Sequence, residues 1–460
     1  MKSQEKHLLF ISIPAYGHII PLLELARKVS KFHQVTFAVS ARTVGDLPKR
    51  ELFDATVDTR IKMYPIPDGI ETAMEDPNDH ELFKTMMPMM FGGIVKMVEL
   101  IPISSEPSSV SELGEFTRPV DGVVSDNFLG PAARTCIERK IPLYLFNACP
   151  VSLTWLILSV HPDMKTAPKQ ELDGFVEMPD EHGNFKKPMP KEFLDDFMLP
   201  VQKILPKCHA VIVNSVLELE SEGIKRCQSK PGMKDMPFFC IGPVLPEPKQ
   251  GSNANAVVEQ KVTKWLDTKD PGSVVYISFG SATMPNKDQV AAIAEAIKQL
   301  DQPVIWSLKA KSQQYLPEEL KRATNMDNPN SKVLILTWAP QKKILSHESV
   351  GVFVSHCGWN STMEGLSGGK PIVGWPQFAE QNLNGEFVAE NNAGDVIRDA
   401  GSHKGSRVVS SQEIVDIIKK VQENNVEGAR KFGLKLQAAL QPNGSSTKEF
   451  EKMIAFIGSS

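Results

Sequence analysis

"FVSHCGWNSTMEG", residues 353–365, is the stretch on which the reading of this chain turns. It continues an apolar run, with Val350, Val352 and Val354 around Phe353, and then sets His356, Cys357, Gly358, Trp359, Asn360 and Ser361 side by side. In a parallel sheet the loop after a strand lies at the carboxyl edge, where ligands bind. STMEGLSGG reads as a helix, so Asn360 and Ser361 stand where that helix begins. Either is a favoured cap, but a cap needs one such side chain, not a cluster. A helix start also offers free N–H groups and a partial positive charge, which suit a phosphate. Gly358 lets the backbone approach closely. His356 can donate to a phosphate oxygen, and Glu364, about one turn along, can accept from a ribose. The competing reading is a capped helix after a core strand, with His356 satisfied internally.

The neighbouring strand ends shift the balance. WAPQ (338–341) ends the strand before, and WPQFAEQ (375–381) ends the strand after. An aromatic plane for a base, an acid for a ribose, a helix end for a diphosphate and an acid–amide pair for a sugar describe a nucleotide-sugar site. Around this region short apolar runs alternate with helix-like segments: HLLFISI (7–13), QVTFAVS (34–40), DGVVSD (121–126), IPLYLF (141–146), HAVIVNS (209–215) and FFCIG (238–242). The rhythm restarts with SVVYISF (273–279), PVIWSL (303–308), KVLIL (332–336), VGVFVS (350–355) and PIVGW (371–375). This is the pattern of parallel sheets covered by helices. Between the two series, PVLPEPKQGSNANA (243–256) reads as an exposed linker. A helix is expected to open near Pro21. The segment ELFKTMMPMMFGGIVKM (81–97) reads as a core helix or as an adaptable apolar wall for a ligand.

Composition narrows the function classes. A chain of 460 residues needs two or three domains. A net charge of −4 gives no electrostatic case for nucleic acid or an acidic membrane. The six cysteines are scattered, without a CxxC pair or a nearby His at metal spacing, which argues against a zinc site or disulfide framework and for a reducing compartment. The first apolar run is broken by Pro14, Gly17 and His18, so it reads as a core strand and not a signal peptide. No apolar stretch reaches the roughly 18 residues needed to span a bilayer. The expectation is a cytoplasmic monomer with no nucleic-acid partner and no stable membrane insertion.

The segment WAPQKKILSHESVGVFVSHCGWNSTMEGLSGGKPIVGWPQFAEQ, Trp338–Gln381, resembles the signature box of the plant-type family 1 glycosyltransferases over its full 44 residues, without a gap. Weaker resemblances run through GHIIPLLELA, NSVLELE (214–220), IGPVLP (241–246), WLDTKDPGSVVYISFGS (265–281) and VIWSLK (304–309). The resemblance implies the α/β GT-B fold, two Rossmann-like doubly wound domains facing across a cleft. Residues 1–245 would form the acceptor-binding domain, 246–257 a linker, and 258–445 the UDP-sugar-binding domain. Residues 446–460 would carry a helix, STKEFEKMIAFI (446–457), that crosses back to the N-terminal domain. It implies that Trp338 stacks on uracil, the Ala339 backbone reads its edge with Ser307 nearby, and Gln341 and Glu364 hold the ribose. His356, Asn360 and Ser361 would hold the diphosphate with Ser281 and Thr283, and Trp359, Glu380 and Gln381 would face the sugar. Gln381 favours UDP-glucose as donor. The box commonly ends Asp–Gln, whereas Glu380 is one methylene longer. Asn147 stands where the family often has Thr near the sugar 6-hydroxyl, and NNAGDV (391–396) replaces a common Trp–Gly pair.

The same resemblance makes His18 of AYGHIIP the general base and Asp126 its carboxylate partner. The chemistry agrees: transfer to a hydroxyl needs a base near neutral pH, and a carboxylate behind an imidazole orients it and stabilises the imidazolium. Asp121, at the other end of the same run, reads as a turn cap. The implied reaction is a direct displacement in which an α-linked UDP-sugar gives a β-glycoside with inversion. The helix end and His356 would stabilise the departing diphosphate, with no metal required. Tyr16, Gly17, Met89, Met90, Phe91, Phe128 and Phe378 are the candidates for an apolar acceptor pocket, suited to flavonoid, phenolic or terpenoid alcohols. The rivals are a sterol or lipid glucosyltransferase, a silent protein that binds a small ligand or UDP-sugar, and an epimerase or phosphorylase on the same fold. An epimerase would need no acceptor, and a phosphorylase would need phosphate.

Overall fold

The computed structural model describes residues 5–69, 80–105, 116, 118–167, 189–191, 194–246, 253–281, 283–323, 327–328, 330–378, 380–401 and 407–459. Side chains at 80–88, 167, 189–190, 253–254 and 323 are outside that description, as are Ala282, Ala379 and residues 247–252 of the expected linker.

Seven parallel strands build the first sheet: β1 (His7–Ile11), β2 (Gln34–Ser40), β3 (Ile61–Ile66), β4 (Gly122–Asp126), β5 (Leu143–Asn147), β8 (Ala210–Val213) and β9 (Phe238–Cys240). Their order is β3-β2-β1-β4-β5-β8-β9. The short strands β6 (Thr166–Ala167) and β7 (Met189–Pro190) pair separately. The second sheet holds β10 (Val274–Ser278), β11 (Val304–Ser307), β12 (Val333–Leu336), β13 (Val350–Ser355), β14 (Ile372–Gly374) and β15 (Gly394–Val396), in the order β12-β11-β10-β13-β14-β15. Central strands are apolar on both faces because helices cover both. In β1, Leu9 and Ile11 enter one core with Ile94 and Leu129, while Leu8 and Phe10 enter the other with Leu22 and Val29 of the helix α1 (Tyr16–Ser30).

Strand order reverses once in each sheet, between β1 and β4 in the first and between β10 and β13 in the second. Diverging connections leave a crevice at such switch points, at the carboxyl ends of the strands. His18 follows β1 and Asp126 ends β4; Gly280 follows β10 and His356 follows β13. The loops with the most polar chemistry therefore stand at the two crevices.

Three elements depart from expectation. α1 opens at Tyr16 and keeps Pro21 inside it. β3, IKMYPI, was not among the expected strands: its burial alternates and it carries Lys62 and Pro65, which an edge strand tolerates because one side is unpaired. The helix Asn253–Leu266 begins within the stretch that reads as linker. The last helix, Ser445–Ser459, places Met453, Ile454 and Ile457 in the core that holds Leu8 and Phe10 of the first sheet. Among the described residues no helix is long and apolar enough to cross a membrane, and all six cysteines are free and buried.

Candidate active site

β1 and β4 are neighbours in register, so their carboxyl ends bring position 18 beside position 126. His18 Nδ1 and Asp126 Oδ2 are 2.8 Å apart, and Asp126 is buried while His18 keeps 17% of its side chain exposed. A carboxylate only accepts, so Nδ1 carries the proton and Nε2 is left with a free lone pair. The Phe128 N–H donates to the other Asp126 oxygen at 2.9 Å. Phe128 meets the His18 ring edge-on at 4.9 Å and stacks on Phe197 at 4.0 Å. Burial opposes the imidazolium, but the charge and hydrogen bond of Asp126, with a further contribution from Glu380, leave the His18 pKa above its ordinary value. Asp121 is at the opposite end of β4, where it accepts from the His7 N–H at 2.7 Å and the Ser104 hydroxyl at 2.7 Å.

Across the crevice, the helix Trp359–Ser367 starts after Gly358, and no side chain caps it. Its first N–H groups are therefore available to an anion. Asn360 and Ser361 lie in its first turn instead of at the cap. The His356 ring is held between two glycines: a Cβ on Gly280 or on Gly358 would come within 2.6 or 2.5 Å of it. Burial pushes its pKa down to about 4, so the ring is a neutral donor, and its buried Nδ1 has no partner. Thr283 Oγ1 is likewise buried without a partner. Gln341 Nε2 donates to Glu364 Oε2 at 2.6 Å and to Ser361 Oγ at 3.0 Å, and its carbonyl accepts from the Tyr276 hydroxyl at 3.1 Å. Burial raises the Glu364 pKa against that amide contact. Trp338 presents 47% of its surface at the end of β12, next to the half-buried Ala339 and on the same sheet edge as Ser307. Gln381 accepts from the Gln377 and Phe378 N–H groups at 2.9 and 3.3 Å through its carbonyl oxygen. Glu380 is half-buried, with its pKa raised by burial, and its Oε1 is 4.0 Å from the Cys149 thiol.

Other candidate side chains are engaged within the protein. Asn147 is 1% exposed and fully committed: its amide donates to Pro150 O and Thr154 Oγ1, and its oxygen accepts from Asn127 and the Cys149 N–H. It has no capacity left for a sugar hydroxyl. The Trp359 indole is buried in the core and donates to Asn214 O at 2.7 Å. Tyr16 packs against the core on the α1 side, under the Arg50 guanidinium at 4.3 Å, whereas Phe91 and Phe128 pack against the opposite core. Met90 is fully buried, while Met89 is 52% exposed and lies against Gly69. Gly17 and Phe378 are exposed. Sequence reasoning missed Asn214, which joins the two halves; its only signal was NSVLELE, read for resemblance alone. Among the described residues no cluster of His, Cys, Asp or Glu is arranged to hold a metal ion.

Comparison with known proteins accords with this geometry. Residues 251–426 match the family described as UDP-glucoronosyl and UDP-glucosyl transferase. An anthocyanidin 3-O-galactosyltransferase of Actinidia chinensis var. chinensis is 30% identical, with 99% of this chain and 98% of that protein covered. A flavonol 3-O-glucosyltransferase of Arabidopsis thaliana is 30% identical over 83% of this chain and 82% of its own length. Medicago truncatula UGT71G1, solved in complex with UDP-glucose, has the same fold, with a TM-score of 0.76, 24% identity and 99% of each chain covered. The chain belongs to the plant-type UDP-glycosyltransferases of that family, enzymes of GT-B fold that transfer a hexose from a UDP-sugar donor.

Proposed function

We propose that the protein transfers glucose from UDP-glucose to a hydroxyl of a small apolar acceptor, a flavonoid, phenolic or terpenoid alcohol, giving a β-glucoside with inversion. The observation that carries the reading is the His18–Asp126 pair, 2.8 Å apart and facing a donor helix whose first N–H groups are uncapped. His18 Nε2 takes the proton of the acceptor hydroxyl, and the oxygen attacks the anomeric carbon from the side away from UDP. Asp126 keeps the ring in the tautomer that leaves Nε2 free and stabilises the imidazolium. The free N–H groups, neutral His356, Ser361, Ser281 and Thr283 receive the charge that develops on the diphosphate. Trp338 offers the uracil a stacking face, with the Ala339 backbone and Ser307 beside it. Gln341 and Glu364, already paired at 2.6 Å, form the ribose end. The Gln381 amide, its oxygen tied to its own loop, leaves its NH2 for the sugar beside Glu380. In this reading 1–245 is the acceptor half and 258–445 the donor half.

The acceptor class rests on the aromatic wall of Phe128 and Phe197 beside His18, to which we add Phe91 and Phe378 as candidates, and on the named substrates of the two relatives. Those relatives differ in donor, one a galactosyl- and the other a glucosyltransferase; Gln381 supports glucose. The test is UDP release from a panel of UDP-sugars, with and without mixed phenolic and terpenoid alcohols, for wild type and His18→Ala. Acceptor-dependent release that prefers UDP-glucose, and falls about 10²–10⁴-fold in the variant, is expected. Release from UDP-galactose alone would overturn the donor, and full turnover in His18→Ala would overturn the base.

A further inference from the structure

We propose that Tyr276 is a positioning residue for the ribose end of the donor site: its buried phenol holds the Gln341 carbonyl and so keeps the Gln341 amide on the Glu364 carboxylate. The inference rests on the reading of Gln341 and Glu364 as the ribose ligands.

A phenol in a strand covered on both faces needs a partner for its hydroxyl. Tyr276, in β10, is 1% exposed. Its ring stacks at 5.1 Å on Phe353, its register neighbour in β13. Ile344 of the helix Gln341–Ser346 and Met363 of the helix Trp359–Ser367 pack in the same core. The ring is thereby fixed beside the two helices that carry Gln341 and Glu364. Burial pushes the phenol pKa up, so the group keeps its proton. That proton goes to Gln341 Oε1 at 3.1 Å. Ser278, two residues along the same face of β10, can donate to the phenol oxygen and so does not compete for its proton.

Gln341 is thus held at both ends of its amide. Its carbonyl accepts from Tyr276, and its NH2 donates to Glu364 Oε2 at 2.6 Å and to Ser361 Oγ at 3.0 Å. A carboxylate only accepts, so Glu364 fixes which end of the amide it meets. The contact also counters the burial that raises the Glu364 pKa. It favours the carboxylate form, which accepts from ribose hydroxyls. Without the phenol oxygen, the Gln341 carbonyl faces an apolar ring edge and turns towards water for a donor. The NH2 moves with it, because the amide is rigid. Ser361 tolerates such a turn, since a hydroxyl can donate or accept, but Glu364 does not. The loss therefore falls on the ribose and spares the diphosphate.

The test is a calorimetric titration of full-length wild type, Tyr276→Phe, Gln341→Ala and the pair, with UDP and with 2′,3′-dideoxy-UDP. Wild type is expected to bind UDP about tenfold or more tightly than the dideoxy ligand, whose sugar offers Glu364 no hydroxyl. Tyr276→Phe should weaken UDP about tenfold and leave dideoxy-UDP within about threefold of wild type. Retained dideoxy-UDP affinity also shows that the site has folded. Tyr276 acts through Gln341, so the ratio of the two affinities in the pair should match that in Gln341→Ala alone. Parallel loss of both ligands in Tyr276→Phe would mean that the phenol serves the core at large, and would overturn the positioning role. Unchanged UDP affinity in Tyr276→Phe overturns it too, as does a pair that discriminates less than Gln341→Ala, since the two residues then act separately. A wild type that binds both ligands equally would instead remove the ribose assignment of Gln341 and Glu364, and the positioning role with it.

Discussion

An imidazole held against a carboxylate at 2.8 Å feels two opposing influences. Burial disfavours its protonated form, whereas Asp126 and, more weakly, Glu380 favour it, and the balance lies above the ordinary value of 6.5. In the proposed mechanism the neutral ring is the base, so kcat/KM should rise with pH through an acidic limb above 6.5. Asp126→Asn removes the largest favourable influence, so the limb moves to lower pH and the plateau falls. Glu380→Gln moves it the same way by less. A pH profile of kcat/KM for the three proteins checks the sign, and a limb that moves upward in Asp126→Asn would contradict it. Asn147 makes the opposite case. All its hydrogen-bonding capacity is spent on Asn127 after β4 and on the turn and helix that follow β5. Asn147→Ala should therefore cost about 1–3 kcal/mol of stability by leaving buried groups unpaired. KM for the UDP-sugar should stay near wild type, and a raised KM at unchanged denaturation midpoint would return Asn147 to the sugar site.

At the scale of elements, the two loops that clamp His356 are as specific as the ring itself. Gly280 has φ +69°, and an added Cβ would come within 2.6 Å of the imidazole. Gly280→Ala combines left-handed strain with a clash, together about 1–3 kcal/mol, and UDP titration should show about tenfold or greater loss of affinity. Elements like these were legible to different degrees. β1, β10 and β13 announced themselves because a strand covered on both faces must be apolar throughout. β3 did not, since an edge strand with Lys62 and Pro65 has only a half-pattern. The start of α1 was misplaced because Pro21 is a helix opener by local rule, while the helix tolerates it further in and the lost bond is replaced from another domain. No local rule contains that compensation. Engagements across the halves were equally hidden: the resemblance implies that Trp359 faces the sugar, while folding spends its indole on Asn214.

For the molecule as a whole, the two-sheet plan was legible from the restarted strand rhythm, but the contacts between the halves were not, because they pair residues hundreds of positions apart. Asn214, Asn360 and Gly17 are one such set. The last helix is another. It follows the second sheet in sequence, yet Met453, Ile454 and Ile457 are buried with Leu8, Phe10 and Phe239 under the first sheet. Glu218 near the start of the Leu217–Gln228 helix accepts from the Ser445 hydroxyl at 2.8 Å, and so fixes where the helix enters. The apolar burial of this helix belongs energetically to the first half. Ile457→Ala should then cost about 2–5 kcal/mol, as for other buried Ile truncations, and the loss should appear in the half that holds the first sheet. Amide exchange under increasing urea separates the halves: protection in β1, β8 and β9 should fall, while β10 and β13 keep theirs. UDP affinity at low urea should stay at the wild-type value, because the helix Trp359–Ser367, proposed to hold the diphosphate, packs in a different core from position 457. Equal loss of protection in both sheets would mean that the halves unfold as one unit. The last helix would then be a bolt between them instead of a part of the first.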